Sequence, residues 1–275
     1  LFEGLTRIDE NGAVQPQLAE SWDVSDDGLV YTFTLKDGVV FHDGTGFDAD
    51  DVVFSLDRAR ADDSVNAQKP LFAAIDAVDA VDARTVRITL SRPEGRLLFN
   101  LGWGDAVIVA PESAANNKVA PIGTGPYKFD RWVRGSQIRL VATDDTRAIR
   151  KVTFRFVPDP SAQIAALKAG DIDAVSNLQA PEAVIALQAD PNFEVAIGST
   201  EGETILSMNN TRPPLNDIRV RQAIAHAIDR QAIIDGAMFG FGTPIGTHFA
   251  PHHPAYVDLL ETYPRDLVRA RALLA

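Results

Sequence analysis

The sequence predicts a mixed α/β protein, of α+β type or built from interleaved α/β lobes. Period-2 and helical-period stretches follow one another without strict strand–helix–strand alternation. Two segments carry most of this expectation. In residues 29–35, Leu29, Tyr31, Phe33 and Leu35 fall on one side, with Val30, Thr32 and Thr34 on the other. The run NDIRVRQAIAHAIDRQAIIDGAMFG, from Asn216 to Gly240, places Val220, Ile224, Ala227 and Ile228 on one helical stripe.

In chain order, 29–35 reads as a half-buried strand. Asp37-Gly38 is a hairpin turn signal, so Val39–Phe41 is expected to return as a short strand, and Asp43-Gly44 turns again. Asp48 suits the N-cap of a helix with Asp51 near its positive end, and Val52, Val53, Leu56 and Ala59 form its buried stripe. A strand with Val86, Ile88 and Leu90 inward ends before Pro93. LGWGDAVIVAP (101–111) reads as a glycine-flexed loop running into a short apolar strand, and PIGTGPYKFDRW (121–132) as a turn-rich approach to another. KVTFRFVPDP is expected to be a strand with Val152, Phe154 and Phe156 inward. Ser161 is expected to cap a helix that stops at Gly170, the residue type that accepts a left-handed C′ position. Strands are expected around Ile172–Val175 and over TILSMNN, 204–210.

The 275 residues are 45% hydrophobic and 23% charged, enough for a large core in one large domain or two. The net charge of −12 has the wrong sign for nucleic acid and disfavours an anionic membrane surface. The absence of cysteine excludes disulfides, thiolate zinc sites and cysteine nucleophiles. No window approaches 18 uninterrupted apolar residues. The opening LFEGLTRIDE shows no basic or apolar leader region, and DLVRARALLA stops in mid-helix by pattern, so a partial chain is expected.

Catalytic and metal patterns are incomplete throughout. Asp23, Ser25, Asp27 and Gly28 match the opening of a calcium loop, but its twelfth position is Thr34 inside a strand, which favours a polar turn. His248, His252 and His253 lie in a loop without Cys or Glu at ligand spacing, and His42 and His226 read as structural. No G-x-S-x-G elbow is present, and IGTGPYKF lacks both phosphate-loop patterns. The paired carboxylates Asp50-Asp51, Asp62-Asp63 and Asp144-Asp145 are sequence neighbours of the solvated kind. No cofactor, metal or enzymatic activity is therefore expected. What remains suits ligand binding. Trp103 lies between Gly102 and Gly104 with Asp105 following, and both a ligand-stacking Trp and one that covers the core fit this loop. Asn209-Asn210 end the 204–210 segment, where they either contact a ligand or cap a turn; the turn is favoured for Asn210.

Across essentially its whole length the sequence resembles the family 5 extracellular solute-binding proteins, the dipeptide, oligopeptide and nickel binders of ABC importers. The likeness runs from LFEGLTRIDENGAVQPQLAESWDVSDDGLVYTFTLKDGVVFHDGTGFDADDVVFSLDRA through APIGTGPYKFDRW, KVTFRFVPDPSAQIAALKAGDIDAV and MNNTRPPLNDIRVRQAIAHAIDRQAII to RARALLA. It implies a clamshell of the type II periplasmic-binding-protein kind with an extra inserted domain. Residues 1–12 and 118–205 would form the first lobe, 13–117 the insertion, and 206–275 the start of a second lobe. It also implies a periplasmic, monomeric, non-enzymatic protein that closes on a small peptide or other organic solute and passes it to permease subunits. Trp103, Gly104 and Asp105, with Gln68 and Leu206, Ser207, Met208 and Asn209, are the cleft residues so implied. Nickel-binding members carry an arginine and a tryptophan where Val65 and Gln68 stand, and a second arginine at Gly104. Their replacement argues against a nickel chelate, which stays open as an alternative beside a sensor or chaperone role. The stretch VATDDTRAIRKVTF is shorter than in the family, as though residues were missing near 143–150.

Overall fold

The computed structural model describes residues 1–178, 180–200, 202–253 and 255–275. It divides into two units, Leu1–Phe156 and Val157–Ala275.

In the first unit, β1 (Thr6–Ile8) and β2 (Val14–Pro16) form a small antiparallel pair. Strands β3 (Ala19–Val24), β4 (Val30–Leu35), β5 (Ile75–Asp82) and β6 (Thr85–Leu90) make an antiparallel sheet in the order β3-β4-β6-β5. The sequence alternation decides its buried face, since Tyr31 and Phe33 sit opposite Ile88 and Val86 and all four are buried. Helix α1 (Ala49–Arg60) adds Val52 and Leu56 to this core, with Val53 and Ala59 partly buried against it. The Asp48 cap forms as expected, in a box with Asp51. Leu5 belongs to the same core.

Two expected strands do not form here. Gly38 turns with φ +68, but β3 and β6 already occupy both edges of β4, so 39–41 makes only the isolated bridge Val40 to Gly46. Residues 107–110 have no ladder either. After α2 (Leu97–Asn100) and a short turn, Ile108 donates its N–H to Glu3 O at 2.8 Å and Val109 donates to Ser55 Oγ at 2.9 Å. Isolated partners thus satisfy the backbone that a neighbouring strand would serve. Helix α3 (Pro111–Ala114) follows.

The glycine-rich 121–126 segment is explained by close approach. A Cβ on Gly123 would lie 2.3 Å from Leu1 O, and one on Gly125 would lie 2.9 Å from both Leu1 N and Leu1 O. Gly125 N–H donates to Leu1 O at 2.9 Å, and Thr124 Oγ1 to Glu3 Oε2 at 2.9 Å. His42 bridges the same turn: Nε2 meets Gly125 O at 2.8 Å, while Gly123 N–H donates to Nδ1 at 3.3 Å, fixing the Nε2–H tautomer. The histidine is therefore scaffold.

Strands β7 (Tyr127–Val133), β8 (Gln137–Ala142) and β9 (Lys151–Arg155) complete the unit as an antiparallel meander. Its register aligns Trp132, Ile138 and Phe154 on one face. The expected inward placement fails for the two aromatics, however: Phe154 is 54% and Phe156 46% exposed, since no layer covers them among the described residues.

In the second unit, α4 (Pro160–Ala169) is capped by Asp159, whose Oδ1 accepts the Ala162 N–H at 2.7 Å, and not by Ser161. Pro160 takes the first helical position, which sets the start two residues earlier than expected. Gly170 ends it with φ +75, as predicted. Helix α5 (Pro181–Gln188) follows, and 172–175 and 204–210 are irregular instead of strands. The long helical run is two helices, α6 (Ile218–Ala227) and α7 (Arg230–Ala237). They part at Ile228-Asp229, where Asp229 leaves helical geometry to cap α7 through the Ala232 N–H at 3.0 Å. On the expected stripe Val220, Ile224 and Ile228 are half-buried but Ala227 is exposed, and Ala223 is the buried residue. Helix α8 (Leu267–Leu274) packs on α6, tied by Asp266 N–H to His226 O at 2.8 Å and by His226 Nδ1 to Pro264 O at 2.8 Å. No helix among the described residues is long and apolar enough to cross a membrane.

Candidate ligand-binding site

The loop after α2 is shaped from below by packing. Leu101 is fully buried, and a Cβ on Gly102 would press on Ile8 Cγ1 at 3.2 Å and Arg7 C at 3.3 Å. Trp103 then turns extended, at φ −81 and ψ 155, into a short 3-10 turn over Gly104–Ala106 anchored by buried Ala106. Its ring rests edge-on against Phe99, centroids 6.2 Å apart, and stays 43% exposed. Trp103 therefore lies over the edge of the core with part of its surface open. Nothing crowds the Cβ position of Gly104, and Asp105 is exposed.

Gln68 reaches this loop through a neighbour that the sequence did not single out. Asn66 Oδ1 accepts the Gln68 N–H at 2.8 Å, while Asn66 Nδ2 donates to Asp105 O at 2.9 Å. The 66–68 turn and the 103–105 turn are thereby held as one wall. Gln68 Oε1 is buried without a hydrogen-bond partner, an acceptor with a need that a ligand donor can meet. Val65, beside it, is 99% exposed. The remaining expected residues lie in the second unit. Leu206 is 62% exposed, Ser207 is exposed and Met208 half-buried. Asn209, and not Asn210, caps the turn, its Oδ1 accepting from Thr211 N–H at 3.1 Å and Thr211 Oγ1 at 2.8 Å. The structure thus joins Trp103, Gly104, Asp105 and Gln68 in one unit and carries Leu206–Asn209 in the other.

Three further residues belong beside Trp103: Glu94, Arg96 and the buried Asn100, whose Nδ2 donates to Leu71 O at 3.3 Å. Sequence reasoning passed over them because no motif marks them. The Arg96–Phe99 spacing, three apart at a helix start, was the available signal.

The histidine-rich loop packs on itself and on Glu203. His248 Nδ1 lies 2.7 Å from Glu203 Oε2, and His253 stacks on Phe249 with centroids 4.5 Å apart. No group of three or more His, Cys, Asp or Glu poised to hold a metal ion occurs among the described residues.

The profile of bacterial extracellular solute-binding proteins, family 5 Middle, matches residues 13–275. The glutathione-binding protein GsiB of Salmonella paratyphi A is 31% identical over 282 residues, 99% of this chain and 55% of that protein. Among solved structures, NikZ from Campylobacter jejuni in complex with Ni(L-His) superposes with a TM-score of 0.80 at 29% identity, covering 99% of this chain and 56% of that one. The dipeptide-binding protein from Pseudoalteromonas sp. SM9913 in complex with Met-Leu gives 0.81 at 26% identity, covering 100% and 60%. The chain thus spans little more than half the length of the proteins it matches.

Proposed function

Because the chain belongs to the bacterial extracellular solute-binding proteins of family 5, we propose that it comes from the solute-capturing subunit of an ABC importer. The solute is a peptide or a similar organic molecule, held between two lobes and handed to the membrane permease. Residues 1–12 and 118–205 supply the first lobe, 13–117 the insertion and 206–275 the start of the second. The protein works in the periplasm as a monomer, binds and releases without chemistry, and uses hinge closure that the ligand favours by contacting the closed state better.

One observation supports this reading above the others: a half-exposed Trp103 stands beside an open groove, in the same wall as a buried and unpartnered Gln68 Oε1. The likeness to a glutathione-binding and a dipeptide-binding protein favours peptides as the solute class. A nickel chelate is the second reading, favoured by the likeness to NikZ with its Ni(L-His). Val65, Gln68 and Gly104 speak against it, because they offer neither the guanidinium nor the indole expected at those places in nickel-binding members.

The test is thermal unfolding of the purified protein against dipeptides, tripeptides, oligopeptides, sugars and nickel chelates. A ligand at about 100 times its Kd is expected to add roughly 2.7 kcal/mol. Stabilisation by peptides, weakened about tenfold in affinity by Trp103→Ala, supports the reading. Stabilisation by nickel chelates alone transfers it to the second reading, and no response to any peptide removes the first.

A further inference from the structure

The net charge of −12 is not spread evenly over the chain. Residues 127–155, which form β7, β8, β9 and their connections, carry eight Lys or Arg against three Asp. The register sorts the strands into two unlike faces. Phe129, Trp132, Ile138, Leu140, Val152 and Phe154 share one. On the other, Lys128 and Lys151 flank Val141 in one row across the sheet, Arg131 stands directly opposite Arg139 in the next, and Arg155 faces Gln137 in the third. Lys128, Arg131, Lys151 and Arg155 are exposed.

Like charges directly opposite one another weaken a sheet, and Arg131 with Arg139 is such a pair. Asp130 forms an ion pair with Arg139. Lys128, Arg131 and Lys151 enter no ion pair among the described residues. The sheet gains nothing from these three charges, and their common direction points to an anionic partner outside the chain. The cations are also dispersed, with Lys128 and Lys151 two strand spacings, about 10 Å, apart. A spread over three strands does not converge on one anion, and it is wider than the single line of side chains that an extended acidic peptide presents. It matches a plane of many phosphates. We propose that this face of the β7–β8–β9 sheet docks on an anionic phospholipid surface. The acidity of the whole chain opposes such docking only weakly. At about 0.15 M salt the Debye length is about 8 Å, so the phosphates feel the cations that face them and little of the acidic remainder. The proposal does not depend on which solute the protein carries.

Co-sedimentation of the purified protein with vesicles of phosphatidylcholine, pure or mixed with phosphatidylglycerol, tests it. Binding is expected to the mixed vesicles alone at about 0.15 M salt, and it is expected to vanish at about 1 M. The variant combining Lys128→Gln, Arg131→Gln and Lys151→Gln is expected to lose about fivefold in partitioning per charge, on the order of a hundredfold in all. Lys36→Gln, Arg92→Gln and Lys118→Gln together change the net charge equally from exposed positions elsewhere, and that variant is expected to stay within about fivefold of wild type. Removing repulsion leaves the first variant melting no lower than wild type, and the wild-type lipid and salt comparisons stand without either variant. Absence of binding to mixed vesicles, binding that ignores salt, or equal losses in the two variants overturns the proposal. Retention on polyglutamate without binding to vesicles also overturns it, and assigns the face to an acidic polypeptide.

Discussion

Asp51 sits in the first turn of α1, where its Oδ2 accepts the Asp48 N–H at 3.0 Å. The same placement buries it, and burial pushes its carboxyl up to about 6 despite that hydrogen bond, with Asp48, Glu112 and Asp50 adding repulsion. A carboxyl raised above its unfolded value of about 3.8 keeps its proton better in the folded state. Its contribution to stability is full below about pH 4 and falls away as pH rises to about 6. His42 slopes the other way: burial first of all lowers its pKa, so its contribution is present above the ordinary histidine range and fades on acidification. Asp51→Asn keeps an acceptor for Asp48 and removes one titration. Urea unfolding across pH 4–7 is expected to show a flatter profile for this variant, with a gain of up to about 2 kcal/mol at pH 7. At this scale the sequence revealed the cap but not its energetic conflict, because a cap is a local pattern and burial depends on what folds over it.

Among the elements, α4 shows how a single residue shifts a boundary. Asp159 caps it and Ser161 lies inside it. Asp159→Ala is expected to cost about 1 kcal/mol and to speed amide exchange in the first turn of α4, while Ser161→Ala leaves both unchanged. Equal effects of the two substitutions would contradict the assigned cap. Strands β4 and β6 and helix α1 were legible because their buried faces are written in their own periodicity. Strand β9 was legible only in part. Alternation says that Val152 and Phe154 share a face, and it is silent on what lies over that face. The 204–210 segment has a strand-like composition but no ladder, since a strand needs a partner whose position no local window contains. The run 216–240 reads as one helix by period, yet Asp229 serves as a cap more readily than as an interior residue, and the run divides there.

At the scale of the whole chain, composition and motif order conveyed the class of protein, and the contiguous Trp103-Gly104-Asp105 loop supplied one wall of the candidate site. The rest of that wall was hidden because folding assembles it: Asn66 reaches Asp105 across 39 residues, and Asn100 reaches Leu71 across 29. The first three residues bring more distant parts together. Leu1 and Glu3 bind Gly125 and Thr124 on one side, and Glu3 O holds Ile108 on the other. The long excursion between them thus begins and ends at the same place, closed there without a covalent link. A protease that severs only the bond after the exposed Lys118 is expected to leave two fragments that elute together under native conditions and separate in denaturant. The backbone could be cut at that point, and the molecule would still behave as one piece.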